Sequence, residues 1–116
     1  MKTSCQPVEK EAVSVSKKND LLRANIPAIA KPNLLLLTRG IYTKFTNSEV
    51  ADILQKVKSF TDFTPDNDPW KEHDFGSFIY KGETIFWKID DYTSVAKEYN
   101  KEGYALVLTV LLADEY

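Results

Sequence analysis

The segment "FGSFIYKGETIFWKID", residues 75–90, constrains the fold more than any other part of the chain. Phe78 and Tyr80 fall on one side of a first strand. Ile85, Trp87 and Ile89 fall on one side of a second, with Thr84, Phe86 and Lys88 on the other. Side chains alternate across a strand with a period of two, so the pattern predicts two strands, each with an apolar face. Gly82 lies between them and supplies a turn conformation that a residue with a Cβ resists. The prediction is an antiparallel hairpin, and its apolar face needs a cover.

The best cover is a helix over residues 47–60. Thr46 followed by Glu49 forms a capping box, in which the hydroxyl accepts the N3 amide and the carboxylate accepts the cap amide. Val50, Ile53, Leu54, Val57 and Phe60 then share one face, with Glu49, Asp52, Lys56 and Lys58 mostly outward. The last segment, "YALVLTVLLADEY", is apolar on both faces and β-branched at Val107, Thr109 and Val110, which favours a central strand over a buried C-terminal helix. "NLLLLTRG", held between Pro32 and Gly40, is too short for a buried helix and is expected to be a strand buried on both faces.

A first helix is expected from Glu11 to Ile26, with Leu21, Leu22 and Ile26 on one side and Pro27 limiting it. "IPAIAKPN" follows as an extended connector. Residues 1–10 are polar and form a flexible N-terminal arm. The order helix, strand, helix, hairpin, strand predicts a single α+β domain over residues 11–116. Its sheet is expected to be mainly antiparallel, of about four strands, packed with two helices.

A length of 116 residues supports one modest core without disulfides or metals. Fifteen basic residues oppose 17 acidic ones, for a formal charge of −2, which argues against a general polyanion binder and makes direct nucleic-acid binding unexpected. Cys5 is the one cysteine, so no internal disulfide is available and a spectator thiol in a reducing cytoplasm is expected. The N-terminus has no apolar signal-peptide core. The longest apolar stretches, Leu34 to Leu37 and Ala105 to Leu108, fall far short of the roughly 20 residues that a membrane helix needs.

Chemistry concentrates in "NDPWKEHDFG", residues 67–76, which holds the only histidine. One interpretation is an ordered structural loop. Asn67, Asp68 and Pro69 are turn formers, the Asn67 and Asp68 side chains bond nearby amides, His73 and Asp74 bond backbone groups, Trp70 and Phe75 anchor the loop by burial, and Gly76 closes it. A second is catalysis, with Asp68, Glu72, His73 and Asp74 as the centre. Together with Asp66, Asp90 and Asp91 they offer oxygen ligands and one nitrogen for Mg²⁺ or Mn²⁺ acting on a phosphodiester. One histidine and one cysteine rule out the usual Zn²⁺ ligand sets, and no Gly-rich phosphate loop occurs. A third is recognition, with Trp70, Asp90, Asp91 and Tyr92 presenting aromatic anchors and acidic charge to a basic protein. Lys88 is placed to pair with Asp90 or Glu83. The structural interpretation leads for the motif itself, with no metal and no cofactor expected.

Several segments together resemble the DUF3768 family, small bacterial proteins of unknown function often associated with plasmids or phages. The resemblance rests on "LTRGIYTKF", "FTDFTPDNDPWKEHDFG", "IFWKIDDY" and "VLTVLLADEY". The family elements fall here on Asn19, Asp20 and Arg23, on Thr38 and Gly40, on Asn67 to Pro69 and Glu72 to Gly76, on Phe86 to Asp90, and on Ala113, Glu115 and Tyr116. It covers about residues 17–116. The chain departs from the family where "TSVAKEYNKEG" replaces an acidic, proline-rich loop. The resemblance implies a mobile-element context and no established reaction. The expected function is non-enzymatic protein binding by a cytoplasmic monomer or weak dimer, in its concrete form inhibition of a defence-system nuclease or surveillance complex (anti-CRISPR or anti-restriction). The alternative is a metal-dependent phosphoesterase or nuclease centred on the 67–76 loop.

Overall fold

A computed structural model describes the backbone of residues 7–116 and the side chains of residues 15–116. Helix α1 (Pro7–Ala24) leads to strand β1 (Leu34–Leu37), helices α2 (Arg39–Lys44) and α3 (Asn47–Lys58), strands β2 (Phe75–Tyr80) and β3 (Glu83–Asp91), and strand β4 (Leu106–Leu112). Short 3₁₀ turns span Lys97–Tyr99 and Ala113–Glu115. The architecture is α+β, as expected.

The hairpin forms where alternation places it. Tyr80 pairs with Glu83, and the two turn residues Lys81 and Gly82 have φ of 51° and 83°. Two successive left-handed residues make a turn whose twist matches that of the flanking strands. Ile85, Trp87 and Ile89 are buried on one face of β3. β4 pairs antiparallel with β3, bringing Leu108 opposite Ile89 and Val110 opposite Trp87. The terminal segment is therefore a central strand, buried at every position but Thr109.

The sheet order is β1-β4-β3-β2. β1 runs parallel to β4, so the sheet is mixed and not wholly antiparallel. A parallel neighbour needs a long crossover, supplied here by α2, α3 and the hairpin. β1 lies at an edge, and Leu36 is 44% exposed, which corrects the expectation of a strand buried on both faces. Four leucines state apolarity, but the strand order decides which positions are covered.

Leu22 and Ile26 join Ile41, Val50, Ile53 and Val57 with the strand residues in one core cluster. Trp87 is fully buried at its centre, a burial worth roughly 2–3 kcal/mol. Phe60 and Phe63 meet its ring edge-on at 5.5 and 6.2 Å. The capping box of α3 is present: the Glu49 amide donates to Thr46 Oγ1 at 3.2 Å, and the Thr46 amide donates to Glu49 Oε1 at 2.9 Å. Glu49 and Asp52 also tie α3 to the hairpin turn, through Lys81 Nζ at 3.0 Å and the Tyr80 hydroxyl at 2.9 Å.

Other boundaries differ from expectation. α1 begins at Pro7, inside the segment expected as an arm, and ends at Ala24. Residues 1–6, with Cys5, lie outside the described residues. Leu21 is 67% exposed, so the buried side of α1 is Asn19, Leu22 and Arg23, and Ile26 is buried in the turn just after the helix. α3 stops at Lys58, though Phe60 still packs on the core. A third helix, α2, was not expected. Its N-cap Thr38 makes no capping bond within the helix. Glu115 does that work from the far end of the chain, accepting from the Gly40 amide at 2.9 Å and from the Thr38 hydroxyl at 2.6 Å.

Candidate functional site

Residues 61–74 carry the expected chemistry, and their geometry starts with two Asx residues. Asn67 Oδ1 accepts from the Thr64 amide at 2.9 Å, and Asn67 Nδ2 donates to the Asp62 carbonyl at 2.9 Å. Asp68 Oδ1 accepts from the amides of Glu72 and His73 at 2.9 and 3.2 Å. Asp68 is 6% exposed, so its carboxylate is a buried acceptor tied up by backbone. Lys71 and His73 both have φ of 55°, a left-handed conformation that costs a side-chain-bearing residue energy. The two amide bonds to Asp68 help hold that stretch in place.

Helix α1 clamps the loop from the other side. Asn19 Nδ2 donates to the Glu72 carbonyl at 2.9 Å. His73 Nδ1 donates to Asp20, with distances of 3.0 and 3.1 Å to its two oxygens. The imidazole stacks on Phe63, centroids 3.9 Å apart and planes within 4°. Nε2 lies 3.6 Å from Asp68 Oδ2, beyond a direct hydrogen bond. Both ring nitrogens are thus turned to carboxylates of the chain itself.

Arg23, 4% exposed, joins the clamp to α3. Its Nη1 donates to the carbonyls of Val57 and Phe60 at 2.8 and 2.9 Å, and Nη2 donates to Asp20 at 2.9 Å. A cation at the C-terminus of α3 also complements the helix dipole. The guanidinium lies over the rings of Trp87 and Phe63 at 4.9 and 5.3 Å. Gly76 lets Trp87 take this position, because a Cβ there would stand 2.4 Å from the indole nitrogen.

Beside the clamp lies a cleft of about 310 Å³ lined by Val15, Asn19, Glu72, Asp74, Ile89, Asp90 and Asp91. Burial, then Asp74 and Asp68, push the Glu72 carboxyl above the usual carboxylate range. Burial also pushes Asp74 up, assisted by Asp68 and Asp90 and partly offset by its own amide. Asp91 is held low, chiefly by the Thr93 hydroxyl, with further help from the Thr93 amide and Lys18 that outweighs its burial. Lys88 pairs with Asp90 at 2.9 Å, and Glu83 takes Lys44 instead.

The loop does not gather Asp68, Glu72, His73 and Asp74 into one cluster. Asp68 and His73 face the clamp, whereas Glu72 and Asp74 line the cleft. Among the described residues no group of three or more His, Cys, Asp or Glu side chains is placed to hold a metal ion. Trp70, expected to anchor the loop by burial, is 76% exposed, while Phe75 is half-buried and packs edge-on to Phe86. Tyr92 and Asp91 are also exposed, and Asp90 is partly so.

Asn19, Asp20 and Arg23 had no assigned role from residue type alone. Their signal was present as spacing: Asn19, Leu22 and Arg23 recur at i, i+3 and i+4, which puts two polar residues on the buried stripe of α1. No described helix is long and apolar enough to cross a membrane.

The model of one protein family, described as a protein of unknown function (DUF3768), matches residues 37–115. The match spans most of the chain and includes the whole 61–74 loop. It leaves α1, with Asn19, Asp20 and Arg23, outside. No curated protein and no solved structure matches.

Proposed function

We propose that this chain, which belongs to the DUF3768 family, acts by binding another protein and not by catalysis. One observation carries this: on a single ordered loop the ionisable ring of His73 is turned inward to Asp20 and Asp68, while Trp70 stands 76% exposed. An exposed tryptophan on an ordered loop is free to meet a partner, and tryptophan is among the residues that contribute most to affinity at interfaces. Asp90 and Asp91, expected to face a basic partner, are already paired with Lys88 and Lys18 at 2.9 and 3.0 Å, so the exposed Trp70 and not their charge carries the reading. The mobile-element context implied by the family resemblance makes a bacterial defence nuclease or surveillance complex the first partner to try.

The test is affinity capture from a bacterial lysate with the wild-type chain and with Trp70→Ala, followed by reconstitution with the purified candidate. A stoichiometric complex that Trp70→Ala weakens, at an unchanged melting temperature, supports protein binding. A chain that captures nothing specifically, and instead hydrolyses a phosphodiester in the presence of Mg²⁺ or Mn²⁺, overturns it in favour of a metal-dependent phosphoesterase.

A further inference from the structure

The sheet has two outer strands, and only one of them is blunted. β1 offers four residues and starts just after Pro32, and both features protect an edge. β2 offers six residues in unbroken register with β3, from Phe75 opposite Lys88 to Tyr80 opposite Glu83. It carries no proline, no charged side chain and no bulge. The parity of the ladder fixes which of its backbone groups are free. In a hairpin with a two-residue turn the closing pair, Tyr80 and Glu83, exchanges both hydrogen bonds. The same parity holds at the far end, where the Ile89 amide donates to the Asp74 carbonyl at 2.9 Å. Gly76, Phe78 and Tyr80 therefore turn their amides and carbonyls to β3. Phe75, Ser77 and Ile79 turn theirs outward, where no strand pairs with them among the described residues. The side chains of these three share the sheet face opposite to buried Tyr80: Phe75 meets Phe86 and Tyr116 edge-on, and Ser77 and Ile79 are exposed, Ile79 by 71%.

This edge is its own complement. An antiparallel copy centred on Ser77 sets Ser77 against Ser77 and Phe75 against Ile79 of the second copy, so apolar meets apolar and about six inter-chain hydrogen bonds form. A shift of two residues either way pairs Ile79 with His73 or Phe75 with Lys81, which have φ of 55° and 51° and lie off the strand. Only the register centred on Ser77 uses all three free residues. Lys81 and Glu83 are already held by Glu49 and Lys44, at 3.0 Å each, so the turn brings no unpaired charge to the edge. A foreign strand would meet the backbone groups alone, whereas a second copy meets the side chains as well. We infer that β2 is a dimerisation edge: two copies of this chain join β2 to β2, antiparallel about Ser77, and merge two four-stranded sheets into one. The contact is isologous and closes on itself, with the blunted β1 at either end. It is separate from Trp70 and goes beyond the partner binding proposed above.

Sedimentation equilibrium of the full chain with a thiol reductant, from about 10 μM to about 1 mM, should show the mass rise with concentration from one chain to two. Amide hydrogen exchange then locates the contact. The amides of Phe75, Ser77 and Ile79 should exchange fast in dilute solution and about tenfold or more slower in the dimer, while those of Gly76, Phe78 and Tyr80 are protected at both concentrations. Ile79→Lys, at an exposed position, should weaken dimerisation by about tenfold or more and leave the melting temperature of the dilute protein unchanged. A single-chain mass at every concentration, a dimer in which the three outward amides stay fast, or a dimer that Ile79→Lys leaves intact would each overturn the inference. Protection of these amides only when a captured partner is added would give the edge to a foreign strand and overturn it as well. The exchange comparison uses the wild-type chain, so it decides the question even if Ile79→Lys does not fold.

Discussion

His73 and Asp20, separated by 53 positions in sequence, meet through a hydrogen bond of 3.0 Å from Nδ1 to Oδ1. The bond fastens the 61–74 loop to α1, and Phe63 supports the imidazole from below its plane. A double-mutant cycle of His73→Ala and Asp20→Ala in urea denaturation measures it. His73→Ala should cost about 1–2 kcal/mol, reduced by the partial exposure of both partners. The two changes should couple by roughly 0.5–1 kcal/mol. Strict additivity would mean that the contact holds nothing.

Arg23 is the stronger half of the clamp. Its removal takes a donor from the carbonyls of Val57 and Phe60, of which Val57 keeps the Phe60 amide at 3.3 Å, and opens space against Trp87 and Phe63. Arg23→Ala should cost about 3 kcal/mol or more. Arg23→Lys should recover only part of that, because an ammonium cannot bond Asp20 and the α3 carbonyls as a planar fork while stacking on rings. Equal stability of the lysine variant and wild type in thermal melts would show that only the charge matters.

The parts of this fold that follow from nearby residues were legible, and those set by distant ones were not. Alternation and a two-residue turn specify the hairpin within 16 residues, and Thr46 and Glu49 specify the start of α3 within four. The edge position of β1 depends on β4, and the start of α2 depends on Glu115, 75 residues away from Gly40. No local pattern carries either. Within the candidate site, the backbone bonds of Asn67 and Asp68 followed from Asx chemistry. The exposure of Trp70 did not, since its size argues for burial and only the surrounding Pro69 and Lys71 hint at a loop tip. The buried polar pair on α1 was legible in principle from helical spacing.

Gly76 and Gly82 should respond differently to alanine. At Gly76 the new Cβ would press on Trp87, which is fully buried and has no space to yield. Overpacking of that kind costs roughly 1–3 kcal/mol. At Gly82 nothing lies within 4 Å, so the cost is only that of φ at 83°, about 1 kcal/mol. Melting temperatures should therefore fall further for Gly76→Ala than for Gly82→Ala. The reverse order would place Trp87 elsewhere.

Opposite pH signatures are expected from the two ends of the acidic set. Glu72 and Asp74 have carboxyls raised in the fold, by burial first and by neighbouring Asp68, Asp74 or Asp90 after it. The unfolded chain therefore ionises them more readily. The stability they contribute is complete below the ordinary carboxylate range and is lost as pH rises through their raised values. Glu72→Gln and Asp74→Asn should each raise the melting temperature at pH 7 and leave it nearly unchanged at pH 3. Glu115 runs the other way. Burial opposes its charge, but the Thr38 hydroxyl and the Leu112 and Gly40 amides outweigh burial and hold the carboxyl low. Its contribution is present above the ordinary range and lost as pH falls through the lowered value. Glu115→Gln should thus lower the melting temperature at pH 7, and the deficit should shrink on acidification. Melting curves of the three variants across pH 3–7 measure both trends. If all three shift in the same direction at pH 7, the clefts and caps assigned to these carboxylates are wrong.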